Sequence, residues 1–277
     1  VITSRFVFAG LTLAAVFTGC GHAQIKRGYV EPTQQELLSA LHERQDATKS
    51  LNLETRTTSW LGGDRVRATV LMLVQRQGKL RFEAEVSLKG TVAALTTDGQ
   101  AFALLDMERN EFKQGPACPA NVASLVRIPL APYEIAAILL GDAPLRAESK
   151  LVAATWDAEL GAERLSFETP GENNKSTQLN VLLRKESRGW AVVAVEGLAT
   201  NNMKKQGWWR VRYEELTPIA GVYFPNIIRF AEPNASFDDG VEIKIKDRRI
   251  NPEIPEDSFH LSPPADFFIQ NVNCGGV

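Results

Sequence analysis

The sequence predicts a mainly β domain of the α+β type: one large, strongly curved antiparallel sheet of about eleven strands, with a few helices on its apolar face. Three observations predict it. Residues 79–88 alternate strictly, with Leu80, Phe82, Ala84, Val86 and Leu88 on one side and Lys79, Arg81, Glu83, Glu85 and Ser87 on the other. Turn residues such as Gln77-Gly78, Asp98-Gly99 and Asp238-Asp239-Gly240 punctuate the chain at short intervals. Helical spacing is confined to a segment near the start and to a second one at roughly 120–141.

The chain opens on an export signal. Arg5 is the only charge before Cys20, and residues 6–17 are apolar or small apart from Thr12. That is a positive start followed by an apolar run too short for a bilayer, which takes about 20 residues. Phe17-Thr18-Gly19-Cys20 resembles a lipobox, although Phe17 stands where Leu, Val or Ile is usual. Residues 1–19 are therefore expected to be a signal peptide, and Cys20 is expected to be lipidated, with palmitate or similar chains anchoring the protein to a membrane. Residues 20–32 have no apolar periodicity and read as the lipidated end and a flexible tether. Gly21 follows the Cys in place of the Asp that retains some lipoproteins in the inner membrane, so the outer membrane, facing the periplasm, is the expected location.

Thr33-Gln34-Gln35-Glu36 has the spacing of a capping box and opens an amphipathic helix ending near Ser50. Leu37, Leu38 and Leu41 mark its apolar side; Glu43, Arg44 and Asp46 mark the wetter side. Strands are expected at 66–76 and 79–88, joined as a hairpin, and then at 91–97, 101–107 and 110–114. Val66, Ala68, Val70, Met72 and Val74 share one face of the first. The helical interruption follows, with Pro132 near a helix start, Ile135, Ile138 and Leu139 as an apolar stripe and Gly141 as the stop; 121–128 is a further short helix. Strands return at 151–157, 163–169, 178–185, 190–196, 207–215, 223–230 and 241–247. No shift of composition marks a domain boundary, so 33–265 is one domain and 266–277 a C-terminal extension.

Lys+Arg number 31 and Asp+Glu 33, with no basic stripe, which argues against a nucleic-acid partner. Nucleophile elbow, P-loop and dinucleotide fingerprints are absent, and the three His, at 22, 42 and 260, have no metal-ligand spacing. Asp98, Asp106, Glu108 and Glu111 cluster in sequence and read as turn and surface charge. Of Trp208 and Trp209, on opposite faces of their strand, one is expected in the core. No catalytic residue, metal or cofactor is expected. Cys118 and Cys274 form an even pair in an exported chain, which suggests a disulfide, two free thiols being the alternative.

What remains is apolar surface. A curved sheet with a helical lid encloses a cavity suited to an acyl chain, with Val70, Met72, Leu80, Phe82, Val86, Leu95, Ile135, Ile138 and Leu139 as the expected lining. The alternative is a cavity filled by its own side chains.

Two segments carry a family resemblance. Residues 121–125 through Leu139-Leu140-Gly141-Asp142-Ala143-Pro144 look like the lid region of the periplasmic lipoprotein-localisation family of LolA and LolB. Ile250-Asn251-Pro252-Glu253-Ile254-Pro255, with Phe259 and Pro263-Pro264, looks like its closing segment. The resemblance implies an eleven-stranded half-barrel with a helical lid and a hydrophobic cavity for acyl chains. It also implies a carrier without a lipid anchor and an outer-membrane receptor with one, so Cys20 favours the receptor type, with a periplasmic carrier as a partner. The receptor's exposed apolar loop has 88–94 as its candidate here. The expected function is acyl-chain binding in lipoprotein or lipid localisation; the alternative is a non-catalytic envelope sensor or assembly scaffold.

Overall fold

A computed structural model describes residues 24–60, 65–86, 90–170, 176–198 and 207–274. Helix α1 (Gln34–Ala47) leads into β1 (Ser50–Ser59), β2 (Val66–Gln75), β3 (Lys79–Val86), β4 (Gly90–Asp98), β5 (Ala101–Asp106) and β6 (Glu111–Pro116). Two short helices follow, α2 (Pro119–Val126) and α3 (Pro132–Leu139). The chain returns to strands in β7 (Lys150–Asp157), β8 (Ala162–Pro170), β9 (Ser176–Glu186), β10 (Gly189–Leu198), β11 (Trp208–Glu214) and the small hairpin β12 (Thr217–Ile219) and β13 (Val222–Phe224). It finishes with β14 (Ile227–Ala231), β15 (Val241–Ile250) and β16 (Phe268–Asn271).

Fourteen of these strands form one curved sheet in the order β16-β6-β5-β4-β3-β2-β1-β15-β14-β11-β10-β9-β8-β7. The two halves of the chain are each a meander, and β1 and β15 join them at the centre, Leu51 standing opposite Ile250. The expected count of about eleven strands is too low, for identifiable reasons. In β1 the inward side carries Thr55 and Thr57 after Leu51 and Leu53, so its alternation is weak, yet Thr55 is fully buried because its hydroxyl donates to the Val70 carbonyl at 2.9 Å. The span 223–230 holds two strands, β13 and β14, broken at Pro225. Within the C-terminal extension lies β16, which shows no alternation of polarity that would mark it as a strand.

The apolar face of the sheet carries most of the core, and all three helices pack on it. Leu37 and Leu41 of α1 join Phe82, Leu95, Leu165, Val211 and Phe230 in one cluster. Thr33 caps α1 by accepting from the Glu36 N–H at 3.1 Å. Only this half of the expected capping box forms, because the Glu36 carboxylate instead accepts from the indole of Trp190 at 3.0 Å. Trp209 is buried and packs beside Phe230, while Trp208 is half-buried on the other face.

Arg44 departs from expectation. The amphipathic reading puts it on the wetter side of α1, but it is 6 % exposed. Its guanidinium donates to the Leu140 carbonyl at 2.9 Å and to the Tyr223 carbonyl. The first of these acceptors belongs to the end of α3, where helix carbonyls lack intrahelical partners. Gly141 follows at φ +73°, and a Cβ there would lie 2.5 Å from Arg44 Nη2 and 2.9 Å from Pro225. Asp142, fully buried, pairs with Arg76 at 3.0 Å, and its carbonyl accepts from the Tyr213 hydroxyl at 2.8 Å. Burial pushes the Asp142 carboxyl above the usual carboxylate range, and Arg44 and Arg76 pull against that shift. Burial lowers the Arg44 guanidinium, with Asp142 opposing.

Both ends of the described chain are held. Within the expected tether, Ile25, Arg27 and Tyr29 dock on the sheet. The Arg27 guanidinium makes two 2.9 Å hydrogen bonds to Glu163, Tyr29 packs edge-on against Trp156 and Trp190, and the Ile25 N–H donates to the Ala158 carbonyl at 2.8 Å. Strand β16 pairs in parallel with β6, the one parallel contact in the described sheet. Residues 1–19 and Cys20 lie outside the described residues.

Replacing Arg44 leaves two buried carbonyls without donors and Asp142 with one cation fewer. Arg44→Met is expected to destabilise the fold by about 3 kcal/mol, a melting temperature lowered by roughly 6–12 °C in thermal unfolding followed by circular dichroism. A change below about 2 °C would show that the carbonyls find other partners.

Candidate functional site

Between α2, α3 and the strands β1, β2, β3 and β15 lies an apolar cavity of about 200 Å³. Strand register builds its floor. Met72 stands opposite Phe82, Val70 opposite Ala84, and Thr57 opposite Ala68 and Ile243. Large side chains thus fill one end, and Ala68, Ala84, Thr57 and Ser59 leave room towards the other. Helix α3 contributes Ile135 and Leu139; α2 and the residues after it contribute Ser124, Leu125, Val126, Arg127 and Ile128. Val66, also on the lining, is 53 % exposed, so the small-residue end opens to solvent.

The helices are held unequally. Helix α3 has six buried residues and a buried N-terminus, where the Glu134 carboxylate accepts from the Ala131 N–H at 2.8 Å; burial raises its carboxyl above the usual range. Helix α2 has one, Val122, no side-chain cap at Cys118, and an end in the left-handed Arg127 at φ 60°. Arg127 is exposed and is the only charged residue lining the cavity among those described; its side chain pairs with no acid among them.

Of the nine residues expected to line a cavity, the structure brings together Val70, Met72, Phe82, Ile135 and Leu139. Leu80, Leu95 and Ile138 are fully buried in the core beyond its closed end and do not reach it. Val86 is 42 % exposed: it keeps the inward phase of β3, but two residues past Ala84 no described helix covers that face. Sequence reasoning missed Ala68 and Ala84 as lining, since alanine in an alternating strand signals only an inward position; their signal was their small size beside Val70 and Phe82. It also missed Thr57 and Ser59 with the rest of β1. Of the candidate loop at 88–94, Leu88 and Lys89 lie outside the described residues, and 90–94 belongs to β4.

The acidic residues serve turns. The Asp98 carboxylate accepts from the Gln100 and Ala101 N–H groups at 2.8 and 2.7 Å, and Asp106 accepts from Glu108 and Arg109 at 3.0 and 3.1 Å. Among the described residues no group of three or more His, Cys, Asp or Glu is placed to hold a metal ion. No helix among them is long and apolar enough to cross a membrane.

The open sheet, with helices on one face and an apolar cavity beneath them, matches solved structures. An outer membrane lipoprotein-sorting protein domain from Vibrio parahaemolyticus aligns over 80 % of this chain and 95 % of its own, at 12 % identity and a TM-score of 0.54. A LolA superfamily protein from Nitrosomonas europaea aligns over 81 % and 97 %, at 13 % identity and 0.53. The chain has the fold of the LolA superfamily. A DUF1329 family protein from Desulfovibrio piger aligns over 83 % of this chain and 98 % of its own, at 12 % identity and a TM-score of 0.57. Neither the protein-family models nor the curated proteins give a match to the sequence. The likeness to LolA-like structures is therefore one of fold.

If the cavity is room for a guest, added carbons at its open end will fit. Ala84→Leu is expected to change unfolding free energy by less than about 1 kcal/mol in urea denaturation of the empty protein, against the 1–3 kcal/mol typical of overpacking a filled core. A loss above that range would mark the space as filled.

Proposed function

We propose that this protein is an envelope lipoprotein, held by lipid on Cys20 in the outer membrane and facing the periplasm, that takes acyl chains into the cavity and helps to localise lipoproteins or lipids. The observation that carries the reading is the apolar cavity with small residues at its open end, in a LolA-like fold. The sorting domain and the LolA superfamily protein among the structural neighbours support an envelope role. The reading needs no catalytic residue.

Physical chemistry sets the need for such a site. An acyl chain of sixteen carbons costs on the order of 12 kcal/mol to hold in water, at about 0.8 kcal/mol per methylene, so any passage across an aqueous space requires an apolar shelter. The cavity is below the roughly 300–1,000 Å³ of ordinary small-molecule sites. A whole chain therefore requires one wall to give way, and α2, with a single buried residue, is the wall least held. It would act as the lid, with Arg127 at its end available to an acidic head group.

Native mass spectrometry of protein extracted from membranes tests this. Bound acyl lipid is expected on the wild type, and Ala68→Phe, which fills the floor opposite Thr57, is expected to lose it at least tenfold while its circular dichroism is unchanged. Displacement of a fluorescent fatty acid by palmitate should show the same loss. A wild type that carries no lipid and takes up none, but copurifies with a stable protein partner, would favour the sensor or scaffold.

A further inference from the structure

We propose that Cys118 and Cys274 form a disulfide in the exported protein, which fastens the C-terminal strand to the start of the helix that walls the cavity. The proposal rests on the export reading only for its oxidising compartment; the geometry is that of the sheet edge.

Strand β16 runs parallel to β6 with Asn271 opposite Gln114. The pairing continues past the strand: the Val272 N–H donates to the Gln114 carbonyl at 2.8 Å, and the Gln114 side chain donates to Asn271 Oδ1 at 3.0 Å. The two chains then lie so close at Gly115 that a Cβ there would sit 2.1 Å from the Val272 carbonyl oxygen. Parallel chains advance together, so Cys274, three residues after Asn271, arrives beside Cys118, four after Gln114. Both thiols are free, and a side-chain hydrogen bond between them, helped by burial, raises the Cys274 thiol to about 11.

A second observation says why a bond belongs there. All four residues of β16 are exposed, Phe268 by 69 % and Ile269 by 48 %. A four-residue parallel ladder at a chain end, with no side chain buried, frays readily. Yet this strand covers the edge of β6, and sheet edges left bare invite pairing with other chains. A covalent link supplies the hold that burial does not. Its other end is also specific: Cys118 is the N-cap residue of α2 and offers that helix no side-chain cap, so the bond would anchor the entrance of the helix that contributes Ser124, Leu125 and Val126 to the cavity.

The oxidant required is a more oxidising protein disulfide, of the thiol–disulfide oxidoreductase class. One cysteine, as thiolate, attacks that disulfide and forms a mixed disulfide, releasing one thiol of the donor. The second thiolate attacks the sulfur held in the mixed disulfide and releases the other. The pair loses two protons and two electrons, and the donor disulfide is reduced to two thiols.

The test is thiol alkylation of the full chain, extracted without reductant, followed by peptide mapping. A linked Cys118–Cys274 peptide, 2 Da below the sum of its reduced parts, is expected, with neither residue alkylated. Hydrogen exchange should then show residues 268–273 and 119–126 exchanging at least tenfold faster after reduction. The Cys118→Ser/Cys274→Ser double variant should show that fast exchange with or without reductant. Alkylation of both residues in the unreduced protein overturns the proposal, as does exchange that ignores reduction. Free thiols on a protein that carries acyl lipid would sink this inference alone, and a linked pair on a protein that binds none would sink only the reading of function.

Discussion

Arg44 carries a charge into the apolar face of the sheet and sets it against the carbonyl that ends α3. A buried cation is costly unless its donors find acceptors; Nη1 and Nη2 of Arg44 find them, while Nε finds none among the described residues. Here the acceptors come from distant parts of the chain: Leu140 after α3 and Tyr223 in β13. Gly141 makes the approach possible, since any side chain would occupy the guanidinium's position. The turn so fixed carries Asp142 to Arg76 beside the β2–β3 turn and to the Tyr213 hydroxyl of β11. One cluster thus ties α1, α3 and both halves of the sheet. The position of α3, and with it two walls of the cavity at Ile135 and Leu139, follows from that cluster.

The cavity itself follows from register. Ala68, Ala84 and Thr57 lie on three adjacent strands, and each alone is an ordinary inward residue of a sheet. Thr57 and Ala68 face each other and Ala84 stands one inward position along, opposite Val70; together they leave a space that Met72 and Phe82 close at one end. A slip of one residue in any of the three strands would put a polar side chain in that space. Arg67, Thr69, Glu83 and Glu85, on the opposite phase, hold the register by penalty, because each would meet the apolar face.

This explains what was legible in the sequence and what was not. Period-2 alternation names the face of a strand, so β2, β3 and β15 could be read directly, and Val70, Met72 and Phe82 could be placed inward. It does not say what covers that face along the strand's length. Leu80 and Val86 share their phase with Phe82, yet one is sealed in the core and the other stands 42 % exposed. Coverage depends on where α2 and α3 come to rest, which depends on long-range contacts such as that of Arg44. Composition misleads at the same points. Threonines hide β1 because their hydroxyls are satisfied within the sheet, and Arg44 reads as wet because its partners are carbonyls that no sequence pattern announces. The short β16 has no polarity pattern at all; only its pairing with β6 reveals it.

The docking of the N-terminal segment changes what an anchor on Cys20 would mean. A free tether of a dozen residues lets a domain wander far from its lipid. Here Ile25 is already pinned to Ala158, and Arg27 and Tyr29 are fixed on Glu163, Trp156 and Trp190. Between Cys20 and Ile25 the chain can span at most about 18 Å, at up to 3.6 Å per residue. With lipid on Cys20, the edge of the sheet at β7 and β8 is then confined to the membrane surface instead of sampling the periplasm. Confinement raises the local concentration of bilayer lipid around the domain, and it restricts the orientations in which the cavity opening can be presented. Arg27 and Glu163 act in this as a clasp: a bidentate pair, with Tyr29 over it, that makes the segment preceding α1 part of the fold.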